Sequence, residues 1–348
     1  MLSLAIVILA AGQGTRMKSR KQKILHEVGG RPMVAHVFEA AEALAYRPPV
    51  LVVGPGEDGV RALFGERATY VEQPQQLGTG HATLMARPLL QDSSGQVLVT
   101  YADMPLLRAE TMRRLATAQG DSGAAVALLT AKGDPASSFG RIVRDEQGQV
   151  AEIVEVAAAR RRPNAAELLA IDELNVGVYC FDGPWLWTYL DDLPLRQARS
   201  GQEYYLTDMV GLAVQQGRAV VAVSLTDPDE RLGAGTRAEL VAVEQAFRRR
   251  ANARWLDAGV TLVDPATTFI DPSVLIGPDT VIWPATYLQG QTTIEADCVI
   301  GPNAIIRDAH IGRGSRVEQA VVEGRRLAPE TTVPPFSHLT GADSPLQE

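Results

Sequence analysis

Cysteine is nearly absent from this chain: two residues in 348, Cys180 and Cys298. Both lie among strand-forming neighbours and have no metal-ligand spacing, which argues against a disulfide scaffold or a thiolate metal site and for buried thiols in a reducing cytoplasm. Histidine is almost as scarce, with five residues and no pair spaced to hold a metal. Excess positive charge is also missing. The 33 basic and 41 acidic residues leave a net charge of −8, which argues against a nucleic-acid or anionic-membrane surface but leaves local phosphate sites open. No apolar run approaches the ~20 residues of a membrane-spanning helix. No Lys or Arg precedes Arg16, so the opening apolar segment lacks the basic flank of an export signal. A cytoplasmic location is expected.

What the chain does have is apolar residues, 46 % of the total, enough to bury sizeable cores in a polypeptide too long for one ordinary domain. Over the first two-thirds, apolar runs alternate with amphipathic stretches, the pattern of parallel strands joined by crossover helices. Leu4–Leu9, Val50–Val53, Val97–Tyr101, Ala124–Thr130, Val176–Phe181 and Val220–Leu225 read as strands. Pro32–Leu44, Gly80–Leu90, Ala109–Gln119 and a segment around Tyr204–Gln216 read as helices. Arg141–Arg144 and Val150–Val156, flanking Asp145-Glu-Gln-Gly148, predict a hairpin. After Pro228, apolar residues at Leu240, Val243, Phe247, Ala251 and Trp255 predict a helix that Gly259 stops.

Beyond that helix the period changes to six. Aliphatic residues stand at Ile270, Ile276, Ile282, Leu288, Ile294, Ile300 and Ile306, and the series shortens a step to Ile311 before Val317. Four residues after each of the first six comes a smallish side chain, from Val274 to Ala304. Neither a helix nor a simple strand holds such a period, whereas a triangular parallel β-helix does, each short strand pointing one aliphatic inward. The series predicts about three coils, capped by Pro329, Pro334 and Pro335. The expected organisation is an α/β Rossmann-like domain over residues 1–228, mostly parallel and with helices on both faces, then a linking helix over 229–259 and a short β-helix over 260–348.

The stretch Ile8-Leu-Ala-Ala-Gly-Gln-Gly-Thr-Arg-Met17 places small residues directly after a buried strand. Glycines there let backbone N–H groups face phosphate oxygens, and a following helical turn adds its positive end. The spacing fits neither the Walker loop nor the dinucleotide fingerprint. Further motifs follow in order: KILHEVGGRPM at 23–33, QQLGTGHA at 75–82, YADMP at 101–105, FGRI at 139–142, IVE at 153–155 and EYYLTDM at 203–209. Together they resemble the uridylyltransferase half of the bifunctional N-acetylglucosamine-1-phosphate uridylyltransferase/glucosamine-1-phosphate acetyltransferase family, the GlmU type of sugar nucleotidyltransferase. The resemblance covers about residues 1–330, including the start of a left-handed β-helix.

That resemblance implies attack of a sugar-1-phosphate oxygen on the α-phosphorus of UTP, with Mg²⁺ as cofactor, pyrophosphate leaving and a nucleotide sugar for cell-wall precursor synthesis as product. Charge spreads over phosphoryl oxygens in such a transition state, so cations and positioning carry the catalysis. By the resemblance, Arg16 and Lys23 neutralise phosphate and Asp103 is both catalytic and the magnesium ligand. Leu9, Ala10, Ala11 and Gly12 contact the nucleotide through their backbone. Gln73, Gly78 and Thr79 read the base, an amide and a backbone edge suiting uracil. Gly140, Glu155, Asn175, Tyr205 and Thr207 contact the sugar phosphate. His81 is expected to be structural. The family also implies a homotrimer, with no nucleic-acid or membrane partner.

Four departures stand out. Ala102 replaces a glycine and is expected to add a methyl beside the nucleotide; Val156-Ala-Ala-Ala follows Glu155 where a polar group is usual; Val176 replaces a common threonine. Gly235 occupies the place of the family's second metal-binding asparagine. The acetyltransferase coils fall beyond the resemblance, so acetyl transfer is not expected of these residues. Two alternatives remain open: a nucleotidyltransferase for another sugar-1-phosphate or nucleotide, and a non-catalytic homologue that binds a nucleotide sugar.

Overall fold

The structure, a computed structural model, describes residues 3–56, 58–92, 95–198 and 201–341. Two compact units emerge: residues 1–26 with 32–239, and residues 27–31 with 240–348. The expected boundaries at 228 and 259 thus give way to a division inside the helix Arg237–Asp257, with a short hairpin turn from the N-terminal region counted in the second unit.

A nine-stranded mixed sheet organises the first unit. Its main path runs Val220–Ser224, Val126–Lys132, Glu173–Asp182, Gln96–Tyr101, Leu4–Leu9, Val50–Val53, Thr69–Glu72. All of these are parallel except Glu173–Asp182, which is antiparallel to both neighbours. The hairpin Arg141–Arg144 and Val150–Val154 joins through Leu174 opposite Arg141, as the turn residues suggested. Side chains alternate across Leu4–Leu9. Ile6 and Ile8 face a core closed by helices Met33–Glu42 and Ala109–Ser122, which contribute Phe38, Met112 and Leu115. Ala5, Val7 and Leu9 face the other core, closed by Ala82, Trp185, Leu186 and Met209 from helices Gly78–Leu84, Gly183–Tyr189 and Asp208–Gln215. Helices therefore cover both faces.

The register places the site. Leu9 pairs with Tyr101 and Val52, and Val53 pairs with Glu72, so these parallel strands end together. The loops carrying Ala10–Gly14, Asp103 and Gln73 leave the sheet at one carboxyl edge, where open α/β sheets take ligands. Ala102 does not project into this edge as expected. It is 1 % exposed and its methyl packs with Ala10 and Met104 in the core.

In the second unit the linking helix is shorter than expected, Arg237–Asp257. Gly259 ends it at φ +83°, where Val260 N–H reaches the Trp255 carbonyl at 2.9 Å. Gly29 N–H donates to Glu244 at 2.8 Å, and the Phe247 ring fills the space a side chain at Gly29 would need. Three parallel sheets of five, five and four short strands then stack in register. One stack runs Leu262, Ile282, Ile300, Val317, Val333, each at most 8 % exposed. The ladder is longer than the three coils expected and continues through strand His338–Thr340. Its later steps, Val317 to Val322 to Leu327, are five residues long, so a strict hexad count misses them. The prolines do not cap it: Pro329 lies before strand Thr332–Val333, and Pro334 and Pro335 occupy the turn after it. Residues 342–348 of the expected β-helix segment lie outside the described residues.

Candidate functional site

A cleft of about 380 Å³ opens at the carboxyl edge of the first unit's sheet. The loop Leu9 to Gly14 lines it. Ala10 N–H donates to Val52 at 2.8 Å, which holds the loop on the sheet as it turns away. Gly14 adopts φ +62°, and a β-carbon there would stand 2.5 Å from Lys23 Cβ. The absence of a side chain at Gly14 thus lets Lys23 lie across the loop and face the cleft.

One wall is built for a flat polar ligand. Gln73 lines the cleft although it is only 3 % exposed. Its Nε2 donates to the Gly78 carbonyl at 3.1 Å and meets His81 Nδ1 at 3.0 Å. With both amide hydrogens so directed, Oε1 is the atom the amide offers to a ligand, an acceptor for a donor such as an imide N–H. His81 accordingly orients Gln73, in keeping with the structural role expected of it. Gly78 has φ +93°, and a β-carbon would come 2.6 Å from the Tyr204 carbonyl, so the helix can start there only on glycine. The Thr79 hydroxyl accepts from Leu206 N–H at 3.0 Å, which ties the start of helix Gly78–Leu84 to the segment that carries Tyr205.

The opposite wall carries the charges. Asp103 follows strand Gln96–Tyr101, and its backbone carbonyl accepts from Ala234 N–H at 3.2 Å. Its Oδ2 receives Lys23 Nζ at 2.5 Å, with side chains 21 % and 18 % exposed. Arg16 is exposed and does not line the cleft; its guanidinium rests against Gly235. Among the described residues no group of three His, Cys, Asp or Glu could hold a metal. A divalent cation at Asp103 would therefore draw its other oxygens from water and phosphate, the habit of a hard ion bound with a nucleotide. The residues fit such an ion.

The expected sugar residues divide. Asn175 N–H donates to the Gly140 carbonyl at 2.9 Å, and a β-carbon on Gly140 would lie 3.3 Å from Glu155 Oε1, so these three converge. Asn175 opens a bulge in its strand. Its amide donates to the Tyr179 hydroxyl at 2.7 Å and accepts from Gly177 N–H at 3.1 Å, which holds the bulge open. Gly177, at φ +88°, presses on the Tyr101 ring. Burial, reinforced by Asp208, pushes the Glu155 carboxyl above its usual range, and Arg141 opposes the shift. Burial chiefly raises the Tyr205 phenol, with Glu203, Glu155 and Asp208 adding to it. Thr207 lies elsewhere: it lines a separate cavity of about 520 Å³ beside the Arg196–Asp208 ion pair.

Several residues of the site stand outside the set expected from sequence. Gln76 lines the cleft and donates to the Ala11 carbonyl at 2.5 Å; Tyr101 and Glu203 also line it. Arg141 is 1 % exposed and donates to the carbonyls of Pro135, Ser137 and Phe139, fixing the loop before Gly140. Tyr101 and Arg141 stand inside the motifs YADMP and FGRI, so the signal was there. For Glu203 there was only its place in EYYLTDM.

Residues 6–178 match the MobA-like NTP transferase domain, and residues 273–308 match six repeats of the bacterial transferase hexapeptide. That repeat and the stacked parallel strands make the second unit a left-handed β-helix. The Bifunctional protein GlmU of Exiguobacterium sibiricum is 42 % identical over 96 % of this chain and 73 % of its own length. The protein of the same name from Brevibacillus brevis is 41 % identical over 97 % of this chain and 72 % of its own. A third, from Heliobacterium modesticaldum, is 41 % identical over 96 % and 71 %.

Proposed function

This chain belongs to the GlmU family of nucleotidyltransferases, and from that premise we propose how its cleft carries out the family's reaction. The enzyme transfers uridylyl from UTP to N-acetylglucosamine-1-phosphate, giving UDP-N-acetylglucosamine, a cell-wall precursor, and pyrophosphate. The observation that carries the residue assignment is the Lys23–Asp103 pair across the glycine loop, cation and carboxylate on one wall.

Uracil lies against Gln73, which offers Oε1, with Gly78 and Thr79 beside it. The backbone of Leu9, Ala10, Ala11 and Gly12 carries the ribose and first phosphate. A phosphate oxygen of the sugar attacks the α-phosphorus; no base is required, because that oxygen is already ionised at neutral pH. Lys23 and Arg16 stabilise the charge that accumulates on the phosphoryl oxygens and on departing pyrophosphate. Mg²⁺ is the divalent metal we assign; Asp103 would hold it, and when bound it would further neutralise phosphate charge. Gly140 leaves room for the sugar, Glu155 and Asn175 accept and donate to its hydroxyl or amide groups, and Tyr205 closes that side. Thr207 acts from its separate cavity, through the turn that begins at Tyr205. Acetyl transfer is not part of this reading of residues 1–348.

A homotrimer is the assembly that the triangular β-helix suggests; the unit exposes Leu275, Trp283, Tyr287 and Phe336, with Leu275 and Tyr287 on different sheets of the coil. Light scattering at micromolar concentration giving a monomer would remove that assignment. For the chemistry, pyrophosphate release is measured from each nucleoside triphosphate paired with a panel of sugar-1-phosphates. UTP with N-acetylglucosamine-1-phosphate is the expected best pair, and Arg16→Ala or Lys23→Ala should lose about a hundredfold or more in rate. Full turnover by both variants would refute these roles.

A further inference from the structure

Gly235 is buried just before the helix Arg237–Asp257, in the segment whose Ala234 N–H holds the Asp103 carbonyl. Its φ is not in the left-handed region, so nothing in its backbone calls for glycine. What calls for glycine is the space. A β-carbon built on Gly235 would overlap Nη2 of Arg16 and stand 3.1 Å from Oε2 of Glu239. The same Glu239 oxygen accepts Gly235 N–H at 2.7 Å. A cation and an anion thus flank one bare α-carbon, the anion pinned by the backbone and the cation laid in the slot.

We propose that Gly235 and Glu239 are positioning residues for Arg16, the glycine providing the slot for the guanidinium and the carboxylate drawing it there. The inference rests on the role given to Arg16 above. Arg16 follows the phosphate loop on an exposed turn and has no hydrogen bond among the described residues to fix its long side chain. Without the slot it would sample many rotamers, and a charge that must meet pyrophosphate in one place would be diluted. Glu239 also has a purely structural duty. Its N–H donates to the Thr236 hydroxyl at 3.2 Å while its carboxylate reaches back past that N-cap residue to Gly235 N–H, a box-like variant of the usual reciprocal cap. Glutamine serves that box as well as glutamate but carries no charge, so the two duties separate.

The test measures kcat/KM for UTP and the melting temperature for Gly235→Ala, Glu239→Gln and Arg16→Ala, then combines each of the first two with Arg16→Ala. Gly235→Ala should evict the guanidinium and lower kcat/KM about tenfold, since displacement of a reacting-site group by an ångström costs that much or more. Glu239→Gln should lower it by no more than about threefold, because the carboxylate faces the guanidinium across Gly235 without forming a direct ion pair with it. Both should melt as wild type does, and neither should lower activity further once Arg16 is alanine. Wild-type kinetics in both variants, with Arg16→Ala still impaired, would overturn the positioning role alone. So would an equal loss in the Arg16→Ala background, or a fall in kcat/KM that merely tracks a fall in melting temperature. If Arg16→Ala itself turns over normally, the assignment of Arg16 fails and this inference falls with it.

Discussion

Lys23→Met offers a test of the cleft that does not depend on turnover. In the free enzyme the Asp103 carboxylate is engaged by the Lys23 ammonium at 2.5 Å. A metal reaching Asp103 must displace that ammonium and then sit near its charge. Hydrogen bonds to charged groups contribute about 1.5–3 kcal/mol. Both side chains retain some exposure, 18 % and 21 %, so the lower end applies. Methionine keeps much of the stem's packing and removes the competitor. A difference of about 1.4 kcal/mol is tenfold, so Lys23→Met should bind Mn²⁺ about tenfold more tightly than wild type when no nucleotide is present. With UTP bound the advantage should vanish if, as proposed, the triphosphate takes the lysine in wild type and offers its own oxygens to the metal. Electron paramagnetic resonance of free Mn²⁺ reads both affinities, with Asp103→Asn as the control that loses the ion in either background. The variant should still lose catalysis. Unchanged or weaker Mn²⁺ binding by nucleotide-free Lys23→Met would refute the competition between Lys23 and a metal for Asp103.

Glu155 gives a pH prediction with a definite sign. Its carboxyl is raised above the ordinary range by burial and Asp208, so the folded protein holds that proton longer than the unfolded chain does. The stability this contributes is complete at low pH and is lost as pH rises through the raised value. Urea unfolding of wild type should therefore show an extra decline just above the usual carboxylate range that Glu155→Gln lacks; parallel profiles would contradict it. If the ionised form holds the sugar, wild-type KM for N-acetylglucosamine-1-phosphate should also rise as pH falls through the same window. In the β-helix, Ile300 is fully buried between Ile282 and Val317. Ile300→Ala should cost about 2–5 kcal/mol by denaturant unfolding, and a cost under about 1 kcal/mol would mean that the coil relaxes around the gap.

The fold was legible wherever one physical rule dominated. Leu4–Leu9 and Val50–Val53 are continuous apolar runs bounded by small residues, and both are strands with those limits. Of Glu173–Asp182 only Val176–Phe181 is legible, because the bulge that opens at Asn175 interrupts the apolar pattern without ending the strand. Strand Thr69–Glu72 is half-exposed at the sheet edge and has too little apolar contrast to announce itself. The extended region Gly80–Leu90 holds two helices, Gly78–Leu84 and Arg87–Leu90, and periodicity alone does not reveal the break between them. In the β-helix the inward aliphatic at each coil side is what packing requires, not the six-residue interval. Once turns shorten by one residue, as from Ile306 to Ile311, stacking persists while the count breaks.

At the site, residue types were legible and their partners were not. Gln73 could be named from its place near the QLGTGHA motif, but which of its amide atoms faces the cleft depends on His81 and Gly78, eight and five positions away on another element. Asn175 was assigned to the sugar alone, whereas half of its amide chemistry maintains the bulge that places it. Gly235 shows the limit most plainly. Read along the chain it is a missing side chain and therefore a missing metal ligand. In three dimensions the same vacancy is filled, by the Arg16 guanidinium on one side and the Glu239 carboxylate on the other. A deletion in one residue's chemistry is thus an opportunity for two others that lie far from it or four positions on, and only the fold brings them together. On the proposed reading, Asp103 would be the lone carboxylate offered to a metal, and the space left by the missing amide at Gly235 is taken up by the Arg16 guanidinium instead.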